Sequence, residues 1–346
     1  MQEIHTPAPT SLLVEMSSAA GSMNGALAGV RVVDLSARLP GPLTTLFLAA
    51  AGAEVVRIEP PGGDPMRHAS AAWPQLPAAF ALLHARKRCL ELDLKDPADR
   101  EHLLALVRAS DIVVDGFRPA VAVRLGLDHA TLAAHAPRLI TCSIVGYDPD
   151  GPDAARAGHD LTYLAERGIL ALLRTADGVP ALPGVLLADV GGGTYPALVN
   201  ILLALYARER TGRGMHLDIP LADTLAPFAL WARATVAGGG VPDPARGIFT
   251  GGSPRYGCYR TADGAWLAVG ALEEHFWRAF CGALEIAEDA DVATVAAAVA
   301  AREAAWFGVL RSVDTCAALV APATVAGGDG TLPLPLAPAL RAGGPA

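Results

Sequence analysis

Short apolar runs alternate with amphipathic stretches through the first half of the chain. Val30–Leu35 (VRVVDL) is a β-branched run ending in aspartate, the composition of a buried parallel strand. Pro40, Gly41 and Pro42 then break the chain, Leu43–Ala51 predicts a helix, and Glu54–Ile58 (EVVRI) predicts a second strand. Cys89–Leu94, Ile112–Val114 and Leu139–Val145 predict further strands, with helices at Pro97–Arg108, Ala120–Leu125 and His129–Ala134 between them. Such alternation indicates an open, mainly parallel α/β sheet with helices on both faces. Its glycines do not form G-x-G-x-x-G, so the fingerprint of a nicotinamide-binding sheet is absent.

Beyond the LITCSIV strand, Gly146–Arg156 is rich in Gly, Pro and Asp, a loop at the sheet edge where open α/β proteins place ligands. His159 follows at the start of a predicted helix, Leu161–Leu172. A connection at Gly178–Gly184 leads to Asp189, three glycines, and a long helix from Thr194 to about Arg210, stopped by Gly212 and Gly214. From Leu217 the texture changes. A helical stretch, Ala222–Ala237, runs into Gly238–Gly240; strands are expected at Gly257–Arg260 and Trp266–Val269, and helices at Glu273–Leu284 and Val292–Leu310. The expected division is a tail at 1–22, a large domain at 23–215, a linker at 216–247, a smaller α+β domain at 248–312, and a C-terminal segment at 313–346.

Composition narrows the function classes. A charged fraction of 18% and a net charge of −8 argue against nucleic-acid binding. Lys87 and Lys95 are the only lysines, so a phosphate-binding cluster must be built largely from arginine. The five cysteines are odd in number and contain no C-x-x-C pair, which suggests neither a zinc site nor a disulfide framework and fits a reduced cytoplasm. The apolar runs Leu43–Ala53 and Leu198–Ala207 are too short to span a membrane. Residues 1–22 lack the pattern of a secretory signal and read as a disordered tail, with Met23 as an alternative start.

Two residues carry the chemistry. Asp189, before three glycines and a helix, fits either an N-cap or a base beside helix N–H groups that stabilise an oxyanion. His159, in Gly158-His159-Asp160, fits either a structural bond to Asp160 or proton transfer near neutral pH. Arg86-Lys87-Arg88, with Arg57, Arg67 and Arg118, places guanidinium groups at strand ends and loops, where they suit phosphates. Glu273 and Glu274 open a helix. No G-x-S-x-G supports a serine hydrolase.

The chain resembles the class III CoA-transferase superfamily, and within it the α-methylacyl-CoA racemases. The resemblance rests on LAGVRVVDLSARLPGP, GAEVVRIEPPGGDPMR, KRCLELDLKDP, VVDGFRP, PRLITCSIVGY, AGHDLTY, ADVGGG, TGRG and GGSPRYGCYRTADGAWLAVGALEEHF, in order from Leu27 to about Phe280. It implies a Rossmann-like large domain, an interlocked homodimer, an acyl-CoA thioester substrate and no added cofactor. It also implies 1,1-proton transfer through an enolate, with His159 and Asp189 as the two acid/bases and Glu273 supporting the histidine. Arg38, Arg57, Arg86, Arg88, Asp160 and Tyr163 fall where the CoA tail is expected, and Gly191, Gly192 and Gly193 where the enolate oxygen is held. The C-terminal part is expected to return toward the large domain. The alternative within the superfamily is CoA transfer with Asp189 as nucleophile. Arg255 stands where the family carries an apolar or aromatic residue, and Ala188 and Val190 replace a common Gly and Phe, so the acyl pocket differs.

Overall fold

Three of the four residues of β1 (Arg31–Asp34) and all four of β4 (Ile112–Asp115) are buried, as strands covered on both faces must be. The computed structural model describes residues 25–175, 177–322 and 332–342. The expected tail and the start at Met23 lie outside them. β2 (Glu54–Glu59), β3 (Arg88–Glu91), β5 (Ile140–Val145) and β6 (His216–Pro220) complete a parallel sheet of order β3-β2-β1-β4-β5-β6. Val33 sits opposite both Val56 and Val113. This is the doubly wound Rossmann order, which opens a crevice at the carboxyl ends of β1 and β4.

Local rules set the helices. Asp96 caps Pro97–Arg108 by accepting from Ala98 N and Asp99 N, and Asp128 caps His129–His135 by accepting from Thr131 N. Val33, Val56 and Val113 from the strands meet Leu103, Leu106 and Leu132 from these helices in one core. The helix predicted at 161–172 is two pieces, Asp160–Glu166 and Ile169–Leu172, because Gly168 takes φ 74° between them. Pro227 likewise leaves the stretch predicted at 222–237 as a 3-10 segment, Asp223–Ala229, and a helix, Leu230–Ala237.

The helix expected from Thr194 begins earlier. A π-helical stretch, Ala188–Thr194, runs directly into Tyr195–Thr211, so Gly191–Gly193 lie inside the helix rather than in a turn before it. None of the three has positive φ. Their role is close approach: a Cβ on Gly192 would lie 2.8 Å from Leu221 O, and one on Gly193 2.6 Å from the Leu221 side chain and 2.8 Å from Pro40. Gly193→Ala is therefore expected to cost about 1–3 kcal/mol, read as a lowered midpoint in urea unfolding. The joined helix, Ala188–Thr211, is long and apolar enough by length and composition to cross a membrane, unlike the shorter run read from sequence. Its Ala197, Ile201 and Ala204 are buried, which is the inner face of a core helix.

Contacts divide the chain into two units, Met1–Arg167, Gly184–Pro227 and Gly327–Ala346 on one hand and Gly168–Pro183 with Phe228–Ala326 on the other. The first unit runs past the expected limit at 215 because Ala222 and Leu225 after β6 are fully buried. It also takes in the chain at 332–342, where Leu334 and Leu336 pack on Leu43, Leu46 and Phe47. In the second unit, β7 (Tyr256–Arg260), β8 (Trp266–Gly270) and β9 (Ala317–Leu319) form an antiparallel sheet of order β7-β8-β9. Trp277, Phe280, Val295 and Val299 from two helices pack on Leu267 and Val269 of β8, an α+β arrangement. β9 lies in the segment 313–346 that was expected to return to the large domain; its backbone pairs instead with β8.

Candidate active site

The loop after β5 ends at His159, whose backbone N–H donates to Thr162 Oγ1 at 2.9 Å and closes the first turn of Asp160–Glu166. The His159 side chain is exposed. Asp160 is buried, and its Oδ1 accepts from Ala188 N at 2.6 Å and Asp189 N at 2.9 Å. One carboxylate thus ties the helix that follows His159 to the first turn of the helix that carries Asp189. A separation of thirty residues in sequence becomes electrostatic contact. Burial is the largest cause pushing the Asp189 carboxyl up to about 6; the Asp160 charge adds to it, while His159 and Arg38 pull it down. A carboxyl near 6 can hold or release a proton at neutral pH, which an exposed aspartate cannot.

Arg38 is exposed and has φ 66°, a left-handed backbone that a residue with a side chain adopts at a cost of about 1 kcal/mol or more. It stands in the turn between β1 and the helix Pro40–Ala50. Tyr163 is buried, with its ring edge-on to Tyr147 at 5.4 Å. A Cβ on Gly158 would lie 2.4 Å from that ring, and one on Gly146 2.6 Å from its hydroxyl. The ring therefore explains both glycines that flank the loop. Burial pushes the Tyr163 phenol up to about 12.

The basic set divides by burial. Arg57 is 3% exposed; its Nη2 donates to Asp64 Oδ2 at 2.7 Å and its Nη1 to Asp34 O at 3.3 Å. Lys87 Nζ donates to Asp34 Oδ2 at 3.1 Å and to Pro42 O at 2.7 Å, with no exposed side-chain surface. Burial pushes the Asp34 carboxyl upward, but Lys87, Arg57, Ser36 and Thr45 outweigh it and hold it at about 2. Arg57 and Asp160, both expected along the CoA tail, are thus buried and bonded to groups within the protein. Arg86 is exposed, and Arg88 is half-buried with Nε and Nη2 enclosed and without a hydrogen-bond partner. Gly191, Gly192 and Gly193, expected to hold an enolate oxygen, lie inside the helix; of the N–H groups before them, those of Ala188 and Asp189 go to Asp160, and Val190 N donates to Leu186 O at 3.1 Å. What the first turn still offers is the positive end of the helix dipole.

Glu273, in the second unit, is the exposed N-cap residue of the helix Glu274–Leu284 and forms no cap bond. Sequence reasoning missed the bridging role of Asp160 and the burial of Lys87. The signal for the second was Asp34 at the end of an apolar strand, where a buried carboxylate requires a cation.

A histidine and a raised carboxyl beside a Rossmann-like sheet make a candidate acid–base site on an α/β frame. The chain belongs to CoA-transferase family III, whose family model matches residues 27–326. It is 35% identical over 266 residues to the alpha-methylacyl-CoA racemase of Homo sapiens, covering 76% of this chain and 66% of that relative. It is 37% identical over 206 residues to the acetyl-CoA:oxalate CoA-transferase of Acetobacter aceti, covering 59% and 53%. The chain therefore spans less than two thirds of the length of either relative. Among solved structures, a CAIB/BAIF family protein from Brucella suis superposes with a TM-score of 0.68 at 30% identity, over 84% of this chain and 79% of that one. Rv3272 from Mycobacterium tuberculosis, at 24% identity and a TM-score of 0.74 over 87% and 85%, shares the fold.

Proposed function

We propose that the protein is a racemase or epimerase of 2-methylacyl-CoA, or of a related 2-substituted acyl-CoA thioester. The observation that carries this reading is the pairing of His159 with a carboxyl, Asp189, raised to about 6. In one direction Asp189 takes the α-proton as a carboxylate and an enolate forms; the imidazolium of His159 returns a proton to the opposite face. In the other direction the roles exchange. The thioester acidifies the α-carbon, and the positive end of the helix beginning at Ala188 favours the negative charge that develops. Glu273 is assigned to support the catalytic imidazole, the role the family resemblance gives it. Arg38, Arg86 and Arg88 are assigned to the nucleotide phosphates, since Arg57 is internal. The exposed apolar stripe Tyr195, Val199, Leu202 and Tyr206 is the face we assign to a second copy in a homodimer.

The second reading is CoA transfer with the Asp189 carboxylate as nucleophile, favoured by transferase relatives such as that of Acetobacter aceti. Incubating the protein with (2R)- or (2S)-2-methylacyl-CoA in D₂O separates the two. Deuterium at the α-carbon with scrambled configuration is the expected result. No exchange, together with an enzyme-bound CoA thioester cleaved by hydroxylamine, overturns the racemase reading and supports transfer.

A further inference from the structure

Glu273 carries an exposed carboxylate that forms no hydrogen bond or ion pair among the described residues. The backbone around it is nevertheless held from both sides. Leu272 N donates to Gly270 O at 2.9 Å before it, and Trp277 N donates to Glu273 O at 3.0 Å after it. Arg255 closes the arrangement. Its Nη1 donates to Leu272 O at 3.3 Å and to Glu274 Oε1 at 2.7 Å, the two residues that flank Glu273.

The guanidinium is itself fixed. It stands 5.3 Å from the ring centre of Trp277, a fully buried ring whose Nε1 donates to Glu288 O at 2.7 Å. The residue before it, Pro254, accepts at its carbonyl from Tyr259 Oη at 2.8 Å, and Arg255 N donates to Ser253 Oγ at 3.2 Å. A planar guanidinium can hold a carbonyl and a carboxylate at once, which an ammonium does less well. Because its charge is matched by Glu274, it does not pair with Glu273. The Arg255–Glu274 pair is partly exposed, at 25% and 68% of the two side chains, so as a stabilising contact it contributes little. A role in geometry explains it better than a role in stability.

We propose that Arg255 is a positioning residue that bridges the two neighbours of Glu273, through Leu272 O and the Glu274 carboxylate, and keeps the Glu273 carboxylate free to act. The proposal rests on the role given to Glu273 above. Two measurements test it, one of them without substrate. In Arg255→Met, hydrogen exchange of the Trp277 amide, which donates to Glu273 O, is expected to speed up about tenfold while the melting temperature barely moves. Unchanged protection overturns the clamp.

The second measurement is a double-mutant cycle on α-proton exchange. Arg255→Met is expected to lower kcat about tenfold with little change in KM, and to have no further effect in a Glu273→Gln background. Arg255→Lys is expected to recover part of the loss. An equal loss in both backgrounds shows that Arg255 does not act through Glu273, and a wild-type rate for Arg255→Met is equally fatal. If Glu273→Gln alone is silent while His159→Ala has lost stereochemical inversion, the role of Glu273 fails, and the clamp then has no carboxylate to position.

Discussion

His159→Ala and Asp189→Asn each abolish stereochemical inversion, with a loss of about 10³-fold or more, yet each retains α-proton exchange on one enantiomer. The asymmetry follows from two bases on opposite faces. With the histidine gone, Asp189 still removes the proton on its own face and returns a deuteron to the same face, so label enters without inversion. With Asp189 neutralised, His159 does the same to the opposite enantiomer. Mass spectrometry combined with chiral analysis in D₂O reads both outcomes. Loss of all exchange on both enantiomers in either variant removes the two-base mechanism, and unimpaired inversion does so as well.

The raised carboxyl adds a pH dependence with a definite sign. In the direction in which Asp189 acts as base, the rate rises as pH passes about 6; in the direction in which it acts as acid, the same titration lowers the rate. Stability moves with the same group. Its folded value, about 6, lies above the ordinary 3.8, so the neutral form is the one the fold favours. That contribution is fully present below 3.8 and is lost as pH rises through about 6. Asp189→Asn keeps the neutral shape at every pH. It should therefore match the parent near pH 4 and exceed its stability above pH 6, by roughly 1–2 kcal/mol after allowing for partial exposure.

The sheet was legible because its strands are β-branched runs separated by helix-length segments, as in Val30–Leu35 and Leu139–Val145. Helix breaks were less so. Gly168 and Pro227 each had a plain local effect, but an isolated glycine or proline inside an apolar run does not reveal whether the chain bends there or continues. The triple glycine reads as lying before the helix because glycine signals both loose backbone and tight packing. Only the position of Leu221, from β6 onward, shows that packing is the reason. Spacing alone could not reveal that Asp160 joins His159 to Asp189, since a hydrogen bond from a carboxylate to two backbone N–H groups leaves no pattern in sequence.

Lys87 is the case in which three adjacent cations look alike in sequence and differ most in the fold. Arg86 is exposed, Arg88 is half-buried, and the Lys87 ammonium is enclosed against Asp34, itself fully buried. Lys87→Met keeps most of the stem and removes the charge. The Asp34 carboxylate then stays buried with Arg57 4.0 Å away as its nearest remaining cation. The expected cost is about 3–5 kcal/mol, because an uncompensated buried charge is far more costly than the pair is worth. Asp34 is held at about 2, below its ordinary 3.8, so its contribution is present above pH 3.8 and lost as pH falls through about 2. The variant should accordingly differ most from the parent in urea unfolding at neutral pH. Arg86→Ala provides the contrast, since its side chain is exposed: stability within about 0.5 kcal/mol of the parent, but a raised KM for a CoA thioester. A truncated thioester without the nucleotide phosphates should show no such change. If Lys87→Met folds normally and only weakens CoA binding, the assignment of this cation to the interior is wrong, and all three belong to the phosphates.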